Sequence, residues 1–308
     1  MVAALADPRL SPCPRHAAGA DYRGYDLPPA FRENIISAEP DDHRRLRRLV
    51  TPLMDRAAAH RARLRFRRAA EQALLAAGER FDLVQDFAGP YVAASTADWL
   101  GLPRAQREAY TAWANRVVGP DSATVRARDT LPAMAAIVEA LPPLPGMGPG
   151  ESTAMLFYLL FVWYEICVDA VASSALVAAE HGDFRRWQWA ADEALRRHTP
   201  QTTTFRRFAT EDIRLADATI EAGQTVLLSL AAAGREGGPH VAFGYGPHRC
   251  PGEPIAAALI REALTVLDGR VQIPEQAVEW RSGLRTHGPR GVRARRAEGT
   301  DSGGTGTV

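Results

Sequence analysis

Between Glu151 and Glu180 the chain is apolar almost all round, with no polar face through its middle. A helix of that kind has to run through the centre of a folded unit. Its thirty residues would span about 45 Å at the usual helical rise. The longest uninterrupted apolar part, Ala154 to Tyr164, is eleven residues and ends at Glu165, too short to cross a bilayer. The chain is therefore expected to wrap other helices around a central one. At 308 residues it has enough surface to bury for one large domain or two ordinary ones. Lys+Arg 37 against Asp+Glu 36 leaves a net charge of +1. That balance argues against nucleic acid or an anionic membrane as partner.

Asp41 to Ala77 alternates apolar residues and arginines at spacings of three and four, which predicts helix. Thr51-Pro52 should interrupt it, and Gly78 should close it. Further helices are expected at Asp86–Leu100, Pro103–Val118, Ala133–Ala140, Phe184–Arg197 and Glu253–Leu267. Short strands are expected at Thr204–Ala209, Ile213–Leu215, Ala218–Ile220, Thr225–Leu230, and around Val271–Ile273 and Leu284–Thr286. No βαβ unit or internal repeat occurs, so the fold class is mainly α with a minor antiparallel β component. Residues 1–30 show no period and read as a poorly ordered segment. Residues 31–296 form a single domain in this reading, and 297–308 a low-complexity, disordered tail. The first residues lack a basic region followed by an apolar stretch, so a cytoplasmic protein without a secretory signal is expected.

The three cysteines, Cys13, Cys167 and Cys250, are far apart and include no CxxC pair. A disulfide scaffold or structural zinc site is not expected. Cys250 stands out because it lies in Phe243-Gly-Tyr-Gly-Pro-His-Arg-Cys-Pro-Gly252, directly before a predicted helix. Gly244 and Gly246 allow backbone forms closed to other residues. Pro251 fits a first helical turn. Free N–H groups at that helix start would lower the thiol pKa and stabilise a thiolate, which suits an axial iron ligand. His248 and Arg249 add donors for an acidic cofactor edge. A buried structural cysteine beside a glycine turn would suit the same residues.

This segment resembles the heme-binding loop of the cytochrome P450 superfamily, Phe-x-x-Gly-x-x-x-Cys-x-Gly, matching at Phe243, Gly246, Cys250 and Gly252. Glu193-Ala-Leu-Arg196 is similar to the family's Glu-x-x-Arg motif, and Arg207-Phe-Ala-Thr-Glu-Asp212 to its bacterial Arg-x-Ala-Thr-Glu-Asp strand. Asp42-His43-Arg-Arg-Leu-Arg47 resembles its His-x-x-x-Arg segment. The resemblance implies a truncated cytochrome P450-like fold holding heme b (iron protoporphyrin IX). It implies Cys250 as the metal ligand, Phe243 packed by the sulfur, and His43, Arg47, Arg207 and His248 at the heme propionates. It also implies a small-molecule substrate and a ferredoxin-type electron donor.

Two departures bear on chemistry. Where the family has a glycine, an acid and a threonine over the distal heme face, this chain has Trp163, Glu165 and Ile166. Trp163 fills space, and Ile166 has no polar atom to relay a proton. The chain is also short for the family, so its pocket should be open, repurposed, or closed by a second copy or a partner protein. Three readings stay open. One is a heme-thiolate oxidoreductase tailoring a bacterial specialised metabolite, bulky or carrier-bound. The second is a heme enzyme with peroxide-driven or redox-neutral chemistry, such as dehydration or cyclisation. The third is a non-catalytic homologue that activates another enzyme.

Overall fold

The structure is a computed structural model that describes residues 2–18, 34–118, 127–215, 218–235, 239–283 and 285–297. Residues 19–33, the tail from 298, and Leu284 in the expected strand Leu284–Thr286 lie outside the described residues. In chain order, α1 (Val2–Leu5) and β1 (Leu10–Ser11) precede α2 (Pro40–Met54), α3 (Arg56–Ala76) and β2 (Arg80–Asp82). A π-helical turn over Leu83–Ala88 leads into α4 (Gly89–Trp99), α5 (Arg104–Val118) and α6 (Ala127–Glu139). The central column follows as α7 (Pro149–Phe157), a π-helical turn over Tyr158–Val162, and α8 (Trp163–Glu180). Then come α9 (Trp187–Arg197), β3 (Arg207–Ala209), β4 (Ile213–Leu215), β5 (Ala218–Ile220), β6 (Thr225–Val226) and α10 (Leu230–Arg235). The chain closes with α11 (Glu253–Leu267), β7 (Val271–Gln272), β8 (Trp280–Ser282), β9 (His287–Pro289) and β10 (Arg293–Arg296).

The apolar run 149–180 is long and apolar enough to cross a membrane by composition, but most of it is buried inside the fold as a core helix. α8 packs on α9 and α11, and α11 packs along α3. The column is not one unbroken helix as expected, because the π turn loosens it just before Trp163. The Thr51-Pro52 break is also displaced. Pro52 sits inside α2, which runs on to Met54. Pro52 removes a backbone donor and crowds the turn before it, and the chain restarts three residues later. There Asp55 caps α3, its carboxylate accepting from the Ala58 N–H at 2.7 Å.

The core places polar tips on backbone acceptors. Buried Tyr91 donates to the Leu259 carbonyl at 2.9 Å, and Tyr110 to Leu160 at 2.8 Å. Glu262 of α11 is only 1% exposed and is clasped by Arg63 and Arg67 of α3 at 2.7 and 2.8 Å.

The sheets are small and antiparallel, ordered β1-β3-β6, β2-β10-β7, β4-β5 and β8-β9. β2, β8, β9 and β10 were not expected. They are three or four residues long, too short to display alternation, and β10 reads Arg-Ala-Arg-Arg. The N-terminal segment corrects the expectation of poor order over residues 2–18. β1 pairs with β3, and Ala4, Leu5 and Leu10 form a second apolar cluster with Ala209, Ile213, Leu228 and Leu230. Among the described residues the exposed large apolar side chains are Val2, Leu64, Leu75, Leu215 and Tyr245. These positions are scattered, and none of them is the broad patch from which a covering partner was expected.

Replacing both Arg63 and Arg67 by alanine leaves the buried Glu262 carboxylate with only Arg261, 3.9 Å away, among the described residues, with an expected loss of about 3–5 kcal/mol in urea unfolding. Glu262→Gln should cost clearly less, since the two arginines are 28% and 38% exposed and can turn to water.

Candidate functional site

The cysteine loop is closed by its own backbone. The Cys250 N–H donates to the Phe243 carbonyl at 2.7 Å, and the Arg249 N–H to that of Gly246 at 3.1 Å. Gly244 and Gly246 take φ +73° and +71°, in the left-handed region that favours glycine. Gly246 also lies under Ala6, whose Cβ would stand 3.0 Å from a Cβ placed there. The N-terminal segment is thus seated on the loop. Cys250 precedes α11, whose N-cap is Gly252.

Cys250 faces a cavity of about 250 Å³. It is an exposed residue because of that opening, yet protein crowds it closely enough that burial pushes its thiol pKa up. The Gly252 and Glu253 N–H groups and the Arg47 charge pull the other way. The expected lowering by the helix start is therefore present but outweighed by burial.

The same cavity is lined by a cluster of basic groups. Arg207, 6% exposed, donates from Nη1 to the Leu10 carbonyl at 3.2 Å. Arg47 donates from Nη1 to the Arg249 carbonyl at 2.6 Å. Burial depresses both guanidinium pKa values. The rings of His43 and His248 lie 4.1 Å apart. Burial, with Arg47 and Arg207 nearby, lowers His43 to about 4 and His248 to about 3. Among the described residues no carboxylate forms an ion pair with Arg47 or Arg207. Burying a guanidinium without an anion is costly. A ligand with two carboxylates and a thiolate-seeking metal would match this wall and Cys250 together, so the residues present fit heme.

Eight of the nine site residues expected from the sequence line this one cavity: His43, Arg47, Trp163, Ile166, Arg207, Phe243, His248 and Cys250. Glu165 does not. Its carboxylate accepts from Arg281 at 2.9 Å and from the Thr286 hydroxyl at 3.3 Å, with Arg285 at 3.7 Å. Trp163 and Ile166 are three apart and share a helix face, whereas Glu165 projects from another, toward the β8–β9 hairpin. Arg281 also holds Asp169 at 2.5 Å, so Glu165 belongs to a lock between α8 and that hairpin. Arg249, read as a donor to the cofactor edge, instead pairs with Glu253 at 2.9 and 2.8 Å. Glu193 and Arg196 form a two-bond pair at 2.9 and 2.6 Å. Sequence reasoning missed Leu5 and Pro12, which also line the cavity, and Leu10, whose carbonyl aims Arg207. Isolated leucines among Ala, Pro and Asp carry no period that could have signalled them.

No family model matches the chain. It is 27% identical to the mycinamicin IV hydroxylase/epoxidase of Micromonospora griseorubida, over 85% of this chain and 79% of that protein. Its fold superposes on the myxobacterial cytochrome P450 CYP267B1 in complex with myristic acid at a TM-score of 0.80, with 26% identity, covering 97% of this chain and 88% of that one. The chain is similar to bacterial cytochrome P450s in both sequence and fold. A P450BioI complex with fatty-acyl carrier protein shares the fold at a TM-score of 0.78 and 20% identity, over 96% of this chain and 90% of that one. The relatives are named as P450 enzymes, hydroxylases and monooxygenases, and this protein is an enzyme of that kind, with heme as the implied cofactor.

Arg207→Ala and Arg47→Ala should each weaken heme retention by about 1.5–3 kcal/mol, the usual worth of a charged hydrogen bond. The measurement is hemin loss to an excess of a heme-scavenging protein, followed by absorbance.

Proposed function

We propose that the protein is a heme-thiolate oxidoreductase that holds heme b through Cys250 and tailors a bacterial specialised metabolite in the cytoplasm. The observation that carries this reading is the Cys250 thiol facing a cavity whose wall bears buried Arg207 and half-buried Arg47, which pair with no carboxylate among the described residues. The similarity to a macrolide hydroxylase/epoxidase supports the substrate class. The carrier-protein complex with the same fold lends support to a carrier-bound substrate. A ferredoxin-type donor is the partner this reading calls for.

When bound, the heme supplies an iron centre at which oxygen or peroxide chemistry takes place. The chain's own residues do the rest. Cys250 carries the negative charge at the ligating position, steadied by the Gly252 and Glu253 N–H groups and by Arg47. Phe243 keeps that wall apolar. Arg47 and Arg207 neutralise the carboxylate edge, and the neutral rings of His43 and His248 help to orient it. On the column side, Tyr158, Leu159 and Val162 face the cavity with largely apolar surface and exclude water.

A second reading has its own observation. Ile166 lines the cavity where the family uses a hydroxyl, and Glu165 is held in ion pairs away from it. Cys167 also lines the cavity, but burial raises its thiol pKa, and a thiol is a weak donor. Timed proton delivery from α8 is therefore absent in this reading, which favours peroxide-driven or redox-neutral turnover over NADH-driven hydroxylation. The retained Cys250 and its basic wall argue against a non-catalytic activator.

Cys250→Ala should abolish the thiolate-type spectrum of the reduced, carbon monoxide-treated protein. An unchanged spectrum would mean that another ligand binds the iron. With a competent ferredoxin pair, product formed per NADH consumed should be low and peroxide release high. Coupling typical of an ordinary monooxygenase would remove the second reading.

A further inference from the structure

Trp163 opens α8 directly after the π turn, and its indole reaches across to the cysteine loop. A Cβ placed on Gly252 would lie 2.8 Å from Trp163 Cζ3, 3.5 Å from Cys250 Sγ and 3.5 Å from Met54 Sδ. The indole edge and the sulfur therefore crowd one point at the N-cap of α11. Trp99 packs against the same indole, with ring centroids 5.6 Å apart and a 40° tilt. The Trp163 N–H is buried and has no hydrogen-bond partner among the described residues, an expensive condition for a donor. Steric contact rather than polar matching thus holds the indole in this place.

A planar macrocycle ligated by Cys250 needs the space over the sulfur, between the column and the loop. Trp163 stands in that same gap. The backbone of α8 is fixed by its packing on α9 and α11, so the element with freedom to yield is the side chain. Its neighbours allow this. Met54 is an unbranched thioether that adapts to new shapes, and the π turn over Tyr158–Val162 leaves the first turn of α8 less tightly wound than a regular helix.

We propose that Trp163 is a plug in the cofactor slot: in the cofactor-free chain its indole seals the gap between α8 and Gly252, and heme seats at Cys250 only after the indole rotates off that glycine. The proposal rests on the heme-thiolate reading above. Its physical consequence is a tax on cofactor loading, because only the fraction of chains with the indole turned away can bind. Rotation also releases the N–H to find a partner. Shortening the side chain should therefore open the slot while removing core contacts that the cofactor-free chain uses. A purely structural tryptophan would show the second effect without the first.

The test is hemin uptake by the cofactor-free protein, followed by stopped-flow absorbance in wild type, Trp163→Ala, Trp163→Phe and Cys250→Ala, with circular dichroism to confirm folding. Trp163→Ala should load about tenfold faster or more, as for a competent rotamer held to a tenth of the population or less, with Trp163→Phe between. If the alanine variant does not fold, the phenylalanine variant decides by the same direction of change. In thermal melts the cofactor-free alanine variant should fall below wild type, and the difference should shrink once hemin is bound. Equal or slower uptake by folded Trp163 variants, with a spectrum that still depends on Cys250, overturns the plug alone. Failure of all chains to bind hemin, or unchanged ligation in Cys250→Ala, overturns the heme-thiolate reading and the plug with it.

Discussion

A helix without a polar face has to be covered on every side, and the covering of α8 fixes most of this molecule. α9 and α11 pack on it, and α3 packs on α11 in turn. That stack determines where α11 begins, and so where Cys250 stands. The loop before it has little freedom left: its ends are tied by the Cys250–Phe243 backbone bond, and Ala6 presses on Gly246. A thiol that is an ordinary side chain in isolation is placed by this packing at the wall of a cavity, facing the central column.

The cavity wall around Cys250 is also governed by charge. Arg207 and Arg47 are both half or more withdrawn from water, and each is steadied by a backbone carbonyl, of Leu10 and Arg249. Carbonyls orient a guanidinium but do not neutralise it. The same burial, with the two arginines nearby, keeps His43 and His248 neutral well below the usual imidazole range. The cavity wall thus carries a positive field that an anionic ligand would relieve. Leu10 shows how local this dependence is, because the strand pairing of β1 on β3 is what brings its carbonyl to Arg207.

On the column the helical period separates residues adjacent in sequence. Trp163 and Ile166 turn to the cavity, while Glu165 joins Asp169 in holding Arg281. Asp169 is fully buried, and burial raises its pKa although Arg281 lowers it. The acid that would serve chemistry in a different rotation of the helix here fastens the β8–β9 hairpin to α8. The face of the column toward the cavity is left largely apolar.

Residue type and spacing alone determined the helical core and the bounds of α11, β4 and β5, while the residues set around Cys250 were picked out by the resemblance to a heme-binding loop. These rest on local physics: an apolar helix seeks the interior, glycine permits positive φ, and side chains four apart on a helix meet. Tertiary structure decided the rest. Glu165 and Arg249 found partners at Arg281 and Glu253, an outcome set by which charges the packed elements bring together. Residues 2–18, which show no period, acquired order only because β3 offered an edge and the cluster around Leu228 offered an apolar seat. Pro52 could be read as a breaker, but the place where the chain restarts depended on Asp55 being available to cap. Trp163 could be read as bulky, whereas its seat against Gly252 and Trp99 follows from three elements far apart in sequence. A sequence specifies what each segment prefers; only the folded neighbours specify which preference is met.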